Sequence, residues 1–197
     1  MSDIRDAKDV MLDLETLDNI PSSVVISVGA CQFNIDTGEI VDTFHMRVDP
    51  QSCLDRGCTV SGDTIRWWMS QSDEARKQWQ GRAEDLYKVI TRFTSWIKML
   101  GISQQDLKVW GNGATFDNAI ISNLYRITGI QRPWGFRNDR DCRTIAGIAQ
   151  AAGLPDYSTL PRDGIYHNAL DDAKYQAKWV SDYWSKLKGG INGKEKG

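Results

Sequence analysis

Apolar and polar positions alternate, or apolar positions run unbroken, in the first fifty residues. Asp9–Leu14 (DVMLDL) interleaves apolar and acidic residues, and Val24–Phe33 (VVISVGACQF) is a longer apolar stretch, so both predict strands. The Gly-containing turn Asn34–Gly38 leads into Glu39–Val48 (EIVDTFHMRV), a third strand returning antiparallel and ended by Asp49-Pro50, with 51–62 as a loop. From Asp63 the period lengthens. Asp63 or Thr64 can cap a helix through Met69, and Ser72 can cap the turn Asp73–Arg76. Leu86, Val89, Ile90, Phe93, Trp96, Ile97 and Leu100 then keep helical spacing until Gly101. Leu107–Trp110 predicts a short buried strand, broken by Gly111-Asn112-Gly113. Three further helices follow: one with Phe116, Ile120, Leu124 and Ile127 on one face, ending at Gly129; one over Asp141–Ala152; and one with Ala169, Ala173, Ala177, Val180, Trp184 and Leu187, whose small residues suit close packing on a sheet. The order β-β-β, helices, β, α, α, α predicts an α/β mixed sheet with helices on its faces, not a doubly wound parallel sheet. One folded unit over 1–188 is expected, and the Gly- and Lys-rich 189–197 predicts a disordered tail.

Composition narrows the classes. The chain has 197 residues, 41% hydrophobic and 25% charged, which suits one globular core. No apolar run approaches a membrane span and the N-terminus lacks a signal-peptide pattern, so a cytoplasmic location with reduced thiols is expected. A formal net charge of −2 excludes coating of nucleic acid by bulk positive charge but not a local grip. Cys53 and Cys58 have no matching Cys or His pair downstream, which argues against zinc. The tryptophans read as core, except that Trp67 and Trp68 cannot both face the core of one helix; one of them is expected at a cleft or an interface.

Three acidic clusters need a reason. Asp13 and Glu15 share one face of a strand, where neighbouring carboxylates repel and a divalent cation relieves them; the plain alternative is a strand end reaching solvent. Asp117 follows the broken strand and falls in a first helical turn, which the helix dipole alone would explain. His167 and Asp172 are five apart and converge only if His167 sits in the loop entering the helix, with Asp171 as the solvated neighbour; a lone surface histidine is the alternative. Together they make four carboxylates and one histidine, the set that two-metal phosphodiester hydrolysis requires.

Asp13-Leu14-Glu15-Thr16, Asn112–Asp117 and His167–Ala173 resemble, in order and spacing, the three exonuclease motifs of the DnaQ-like family, in its His-containing DEDDh branch, over roughly residues 8 to 187. Asn168 stands where the other branch carries tyrosine. Asp63–Arg76 and Asp141–Thr144 are similar to segments of the exodeoxyribonuclease VIII nuclease-domain and phage exonuclease type. The resemblance implies a ribonuclease H-like fold, a mixed five-stranded sheet flanked by helices, and two divalent cations, Mg²⁺ or Mn²⁺. It implies that Asp13, Glu15 and Asp172 ligate one cation, that Asp13 bridges to the second with Asp117 holding it directly or through water, and that His167 is the general base. Thr16, Leu17, Asn112 and Phe116 fall where the family contacts substrate, Leu17 replacing a threonine common there. The expected activity is 3′–5′ hydrolysis of single-stranded DNA ends to nucleoside 5′-monophosphates, with RNA ends as the alternative. A homodimer stays open. The competing class, a non-catalytic nucleic-acid-binding domain of the same fold, would be favoured if a carboxylate were missing, and none is. Arg132, Arg137, Arg140 and Arg143 interleave with Trp134 and Phe136, a pattern that suits single-stranded nucleic acid unless Asp139 and Asp141 pair with the arginines.

Overall fold

The computed structural model describes residues 7–194. Its sheet has the order β3-β2-β1-β4-β5, built from β1 (Asp9–Thr16), β2 (Val25–Phe33), β3 (Ile40–Arg47), β4 (Lys108–Gly111) and β5 (Asp139–Asp141). The first three strands form the expected antiparallel meander, while β4 runs parallel to both β1 and β5. The mixed five-stranded sheet is therefore present. Its fifth strand is too short and too charged (Asp-Arg-Asp) to show any apolar period in the sequence.

Helices cover both faces. A short helix α1 (Pro50–Leu54), capped by Asp49, occupies the segment expected as loop. It is followed by α2 (Gly62–Met69), α3 (Asp73–Arg76), α4 (Leu86–Met99), α5 (Ala119–Thr128), α6 (Cys142–Ala151) and α7 (Ala169–Lys194). Ser61, not Asp63 or Thr64, caps α2 by accepting the Asp63 N–H, whereas Ser72 caps α3 as expected. The helix α7 runs through Lys194, so 189–194 is helical rather than the expected disordered tail; residues 195–197 lie outside the description. Adding residues to a formed helix avoids the nucleation cost, which lets a glycine-containing end continue it.

Strand alternation divides the core. Val10, Leu12 and Leu14 face α4 and α5, while Met11 faces α6 and α7 beside Cys31, Phe33 and Trp110. Asp13 and Glu15 continue the second face and so point towards α7. There Gly29, paired with Asp13, allows α7 to start directly on the sheet: a Cβ on Gly29 would sit 2.1 Å from the Ala169 carbonyl carbon. Ala169, Ala173 and Ala177 are fully buried along this contact. Gly29→Ala is expected to destabilise the protein by about 3 kcal/mol in denaturant unfolding and to weaken Mn²⁺ binding, because only backbone can move to admit the methyl. A variant with parental stability and Mn²⁺ affinity would show that this close approach is dispensable.

Candidate active site

The acids arrive on three elements. Asp13 and Glu15 lie at the end of β1, where the pairing with β2 shifts register between Glu15 and Thr16, a bulge of the kind that re-aims side chains beside active sites. Asp117 sits in a π-helical turn, Ala114–Asn118, that precedes α5 rather than in the helix itself. Its Oδ1 accepts the Leu14 N–H at 3.1 Å and its Oδ2 the Asn112 N–H at 2.9 Å. Gly111 makes room for this turn, since a Cβ there would lie 2.3 Å from Asn118 Oδ1. Asp141 braces the turn from the end of β5, accepting the Ala114 N–H at 2.6 Å while capping α6 through Thr144.

The third element is the start of α7. Asn168 caps it, its Oδ1 accepting the N–H groups of Leu170 and Asp171. His167 therefore stands just outside the helix, as convergence with Asp172 requires, and does so at φ 63°, among the described residues the only non-glycine with positive φ. Asp171 is the more exposed of the two adjacent acids, and it also has a structural task. Its carboxylate accepts the Ile165 N–H and packs against Gly164, holding the loop that presents His167.

Ligand atoms of Glu15, His167 and Asp172 all lie within 4.8 Å of one another. With Asp13, Asn112 and Gln176 they line a cavity of about 320 Å³. Asp13 Oδ1 accepts a hydrogen bond from Gln176 Nε2 at 2.7 Å. Burial, then the charges of Asp117, Glu15 and Asp172, push the Asp13 carboxyl well up. Burial and the neighbouring Asp172 and Asp117 do the same to Glu15. Burial lifts Asp117 to about 7 against its backbone hydrogen bonds, those from Leu14 and Asn112 first. Asp172 is also raised by burial, held back by Arg162. His167 is pushed down by burial, which favours the neutral imidazole.

The donor set fits hard divalent cations: several carboxylates in a partly buried cleft, with the Asn112 Oδ1 and Gln176 Oε1 acceptors buried and without a hydrogen-bond partner.

The remaining assignments separate. Thr16 and Leu17 are buried; the Thr16 hydroxyl donates to the Asp18 carbonyl and Leu17 packs in the core. Phe116 packs partly buried against the same core, so of the four substrate-contact positions Asn112 lines the acidic cavity. Of the two adjacent tryptophans, Trp68 is buried and donates to the Thr16 carbonyl, while Trp67 is exposed and sets its ring edge-on to His167 at 4.8 Å. Arg132 is tied to Ser122 and Asp139, and Trp134 is core, whereas Phe136 stands 72% exposed with Arg137 over its ring.

Sequence reasoning missed Arg162, which forms an ion pair with Asp172, and Gln176. Both lie on segments whose contacts with the motifs become apparent only after folding.

The 3′–5′ exoribonuclease Rv2179c-like domain model matches residues 8–184. An exodeoxyribonuclease of enterobacteria phage T4 is 27% identical over 83% of each chain. The nuclease domain of 3′hExo, a DEDDh family member, superposes with a TM-score of 0.59 at 19% identity, covering 90% of this chain and 92% of that one. Cell-death related nuclease 4 gives a TM-score of 0.66 at 16% identity, covering 92% of this chain and 63% of the other. Exonuclease I of E. coli, in complex with a dT13 oligonucleotide, gives 0.62 at 11%, covering 93% and 42%. No helix among the described residues is long and apolar enough to cross a membrane. The fold is that of the DEDDh nuclease 3′hExo, and the chain thus belongs to the Rv2179c-like 3′–5′ exoribonuclease domain family, exonucleases that hydrolyse phosphodiester bonds.

Proposed function

We propose that this exonuclease removes nucleotides from single-stranded DNA 3′ ends, releasing nucleoside 5′-monophosphates, with Asp13, Glu15, Asp117 and Asp172 as the cation-holding acids and His167 as the general base. The carrying observation is the convergence of Glu15, His167 and Asp172 within 4.8 Å, beside Asp13, in one cleft. Asp13, Glu15 and Asp172 would hold one cation and Asp13 and Asp117 the second. Bound Mg²⁺ or Mn²⁺ would neutralise charge building on the phosphate. His167 takes a proton from the attacking water as its oxygen bonds to phosphorus, and the 3′-oxygen of the penultimate nucleotide leaves. Trp67 and Trp68, themselves in edge contact at 5.2 Å, pack together against the imidazole, their ring centroids 4.8 and 5.9 Å from it.

The phage exodeoxyribonuclease similarity supports DNA. RNA is the second reading, supported by the exoribonuclease description of the family. Single-stranded 5′-labelled DNA and RNA oligonucleotides of one sequence, incubated in parallel with Mg²⁺, test both. The expected result is a shortening ladder with mononucleotide release, faster on DNA. A faster RNA ladder would replace the substrate, and internal cleavage would overturn the exonuclease assignment.

A second cavity, of about 980 Å³, runs along the other side of the 112–118 turn from Ala114 and Thr115 to Arg126 and Phe136. Asn138 anchors that end by donating to the Gln104, Gln105 and Leu107 carbonyls, so the Phe136 ring is displayed on a fixed turn. It suits stacking of a base upstream of the cleaved bond. Phe136→Ala is expected to raise KM for a long oligonucleotide about tenfold, the low end of one lost stacking contact, and to leave a dinucleotide unchanged. Equal effects on both lengths would remove Phe136 from the substrate path.

A further inference from the structure

The acidic cleft already contains a cation of its own. Arg162, on the loop between α6 and α7, donates from Nη2 to Asp172 Oδ1 and to the Ile165 carbonyl at 3.2 Å. Its side chain is only 10% exposed. The guanidinium carbon lies 4.0 Å from the centre of the Tyr166 ring and 5.0 Å from that of Tyr175, so two aromatic faces hold the planar group from outside the acid cluster. Its Nε is buried and has no hydrogen-bond partner, which leaves the fork only partly satisfied by Asp172.

Asp172 also lies within ligand distance of Glu15 and His167. A carboxylate shared between a guanidinium and a divalent cation cannot serve both fully, because the two positive charges repel across it. The fork geometry of arginine matches the oxygens of a phosphate as well as it does a carboxylate, and the unused Nε is a donor free for that purpose.

We infer that Arg162 is an exchangeable counter-cation: it holds Asp172 in the metal-free protein, is displaced from it by the divalent cation, and then takes a non-bridging oxygen of the substrate phosphodiester. The tyrosine faces keep the guanidinium in the cleft through the exchange, so the same group acts first on the protein and then on the substrate. The phosphate half of this inference rests on the nuclease reading of the site. The exchange half does not.

The test compares the parent with Arg162→Met, of similar length and no charge, and with Arg162→Lys, which keeps the charge but loses the fork. Mn²⁺ binding to each full chain is measured by titration calorimetry, after circular dichroism has shown that each is folded. Arg162→Met is expected to bind Mn²⁺ at least fivefold tighter than the parent, with Arg162→Lys in between. At saturating Mn²⁺, KM for a single-stranded oligonucleotide is expected to rise about tenfold in Arg162→Met, with a smaller change in kcat. Unchanged or weaker Mn²⁺ binding in Arg162→Met would overturn the exchange, since Arg162 would then merely orient Asp172. Should Arg162→Met fail to fold, Arg162→Lys decides alone: tighter Mn²⁺ binding than the parent supports the exchange, and unchanged or weaker binding overturns it. Tighter metal binding with an unchanged KM would overturn the phosphate role alone. A parent that binds Mn²⁺ but cleaves no nucleic acid would overturn the nuclease reading while the metal titration still decides the exchange.

Discussion

Asp13→Ala is expected to lose at least about 10³-fold in hydrolysis while its metal-free fold is retained or becomes more stable. The first half follows from removing the one carboxylate assigned to both cations, which together supply several kcal/mol to the transition state. The second follows from the repulsion that Asp13 shares with Asp117, Glu15 and Asp172. Each of these acids has its carboxyl raised in the native state, so the native protein binds protons more tightly than the unfolded chain. The stability associated with protonation is full at low pH and falls as pH rises past the ordinary carboxylate range; for Asp117 the fall continues up to about 7. Without divalent cations the parent is therefore expected to melt lower at pH 8 than at pH 5.5, and Asp13→Ala is expected to show a shallower decline. Mn²⁺ should raise the parent's Tm, by the equivalent of about 2.7 kcal/mol at a hundredfold excess over Kd, and raise that of Asp13→Ala much less. Thermal melts of both proteins at two pH values, with and without Mn²⁺, check all of this. Equal Mn²⁺ stabilisation of the two proteins would remove Asp13 from the site.

His167→Asn is expected to lower kcat by about 10²- to 10⁴-fold, the range for a lost general base, with Mn²⁺ affinity reduced far less. Asparagine is the informative replacement because it tolerates the positive φ that His167 adopts, whereas alanine would mix backbone strain with the chemistry. Burial lowers the His167 pKa below its ordinary 6.5, so the parent rate should rise through a limb below that value and the variant should lack it. The profiles of kcat against pH for the two proteins decide the matter. A variant that keeps the limb assigns it to another group, and near-normal turnover removes His167 as the base. Its ring lies within reach of Glu15 and Asp172, so a large loss of Mn²⁺ affinity would make it a ligand instead.

The placement of Asp13, Glu15, His167 and Asp172 was legible in the sequence because each geometric requirement is local. Asp13 and Glu15 share a strand face at a spacing of two, and the five-residue gap from His167 to Asp172 demands a histidine outside the helix, where Asn168 and the left-handed turn place it. What was not legible depends on tertiary approach. Gly29 reads as an ordinary residue in an apolar strand, and its purpose appears only when α7 lands on it. Gln176 bonds Asp13 across 163 residues, and Arg162 sits in a polar loop with no periodic signal. The substrate-contact positions carried by resemblance fare unevenly for the same reason: the register shift after Glu15 and the core packing of Leu17 and Phe116 are properties of this fold in three dimensions. The Arg132–Arg143 segment divides between structure and surface, because Asp139 takes Arg132 and Trp134 whereas Asp141 is committed to Ala114 and the cap of α6.

The central claim is that this acid cluster is a two-cation site built around Asp13. An anomalous difference map from crystals soaked in Mn²⁺ tests it most directly. The expected result is two peaks in the cleft, one bounded by Asp13, Glu15 and Asp172 and the other by Asp13 and Asp117, both lost in Asp13→Ala. A single peak held by Glu15, His167 and Asp172 without Asp13, or no peak in the cleft at saturating Mn²⁺, would contradict it.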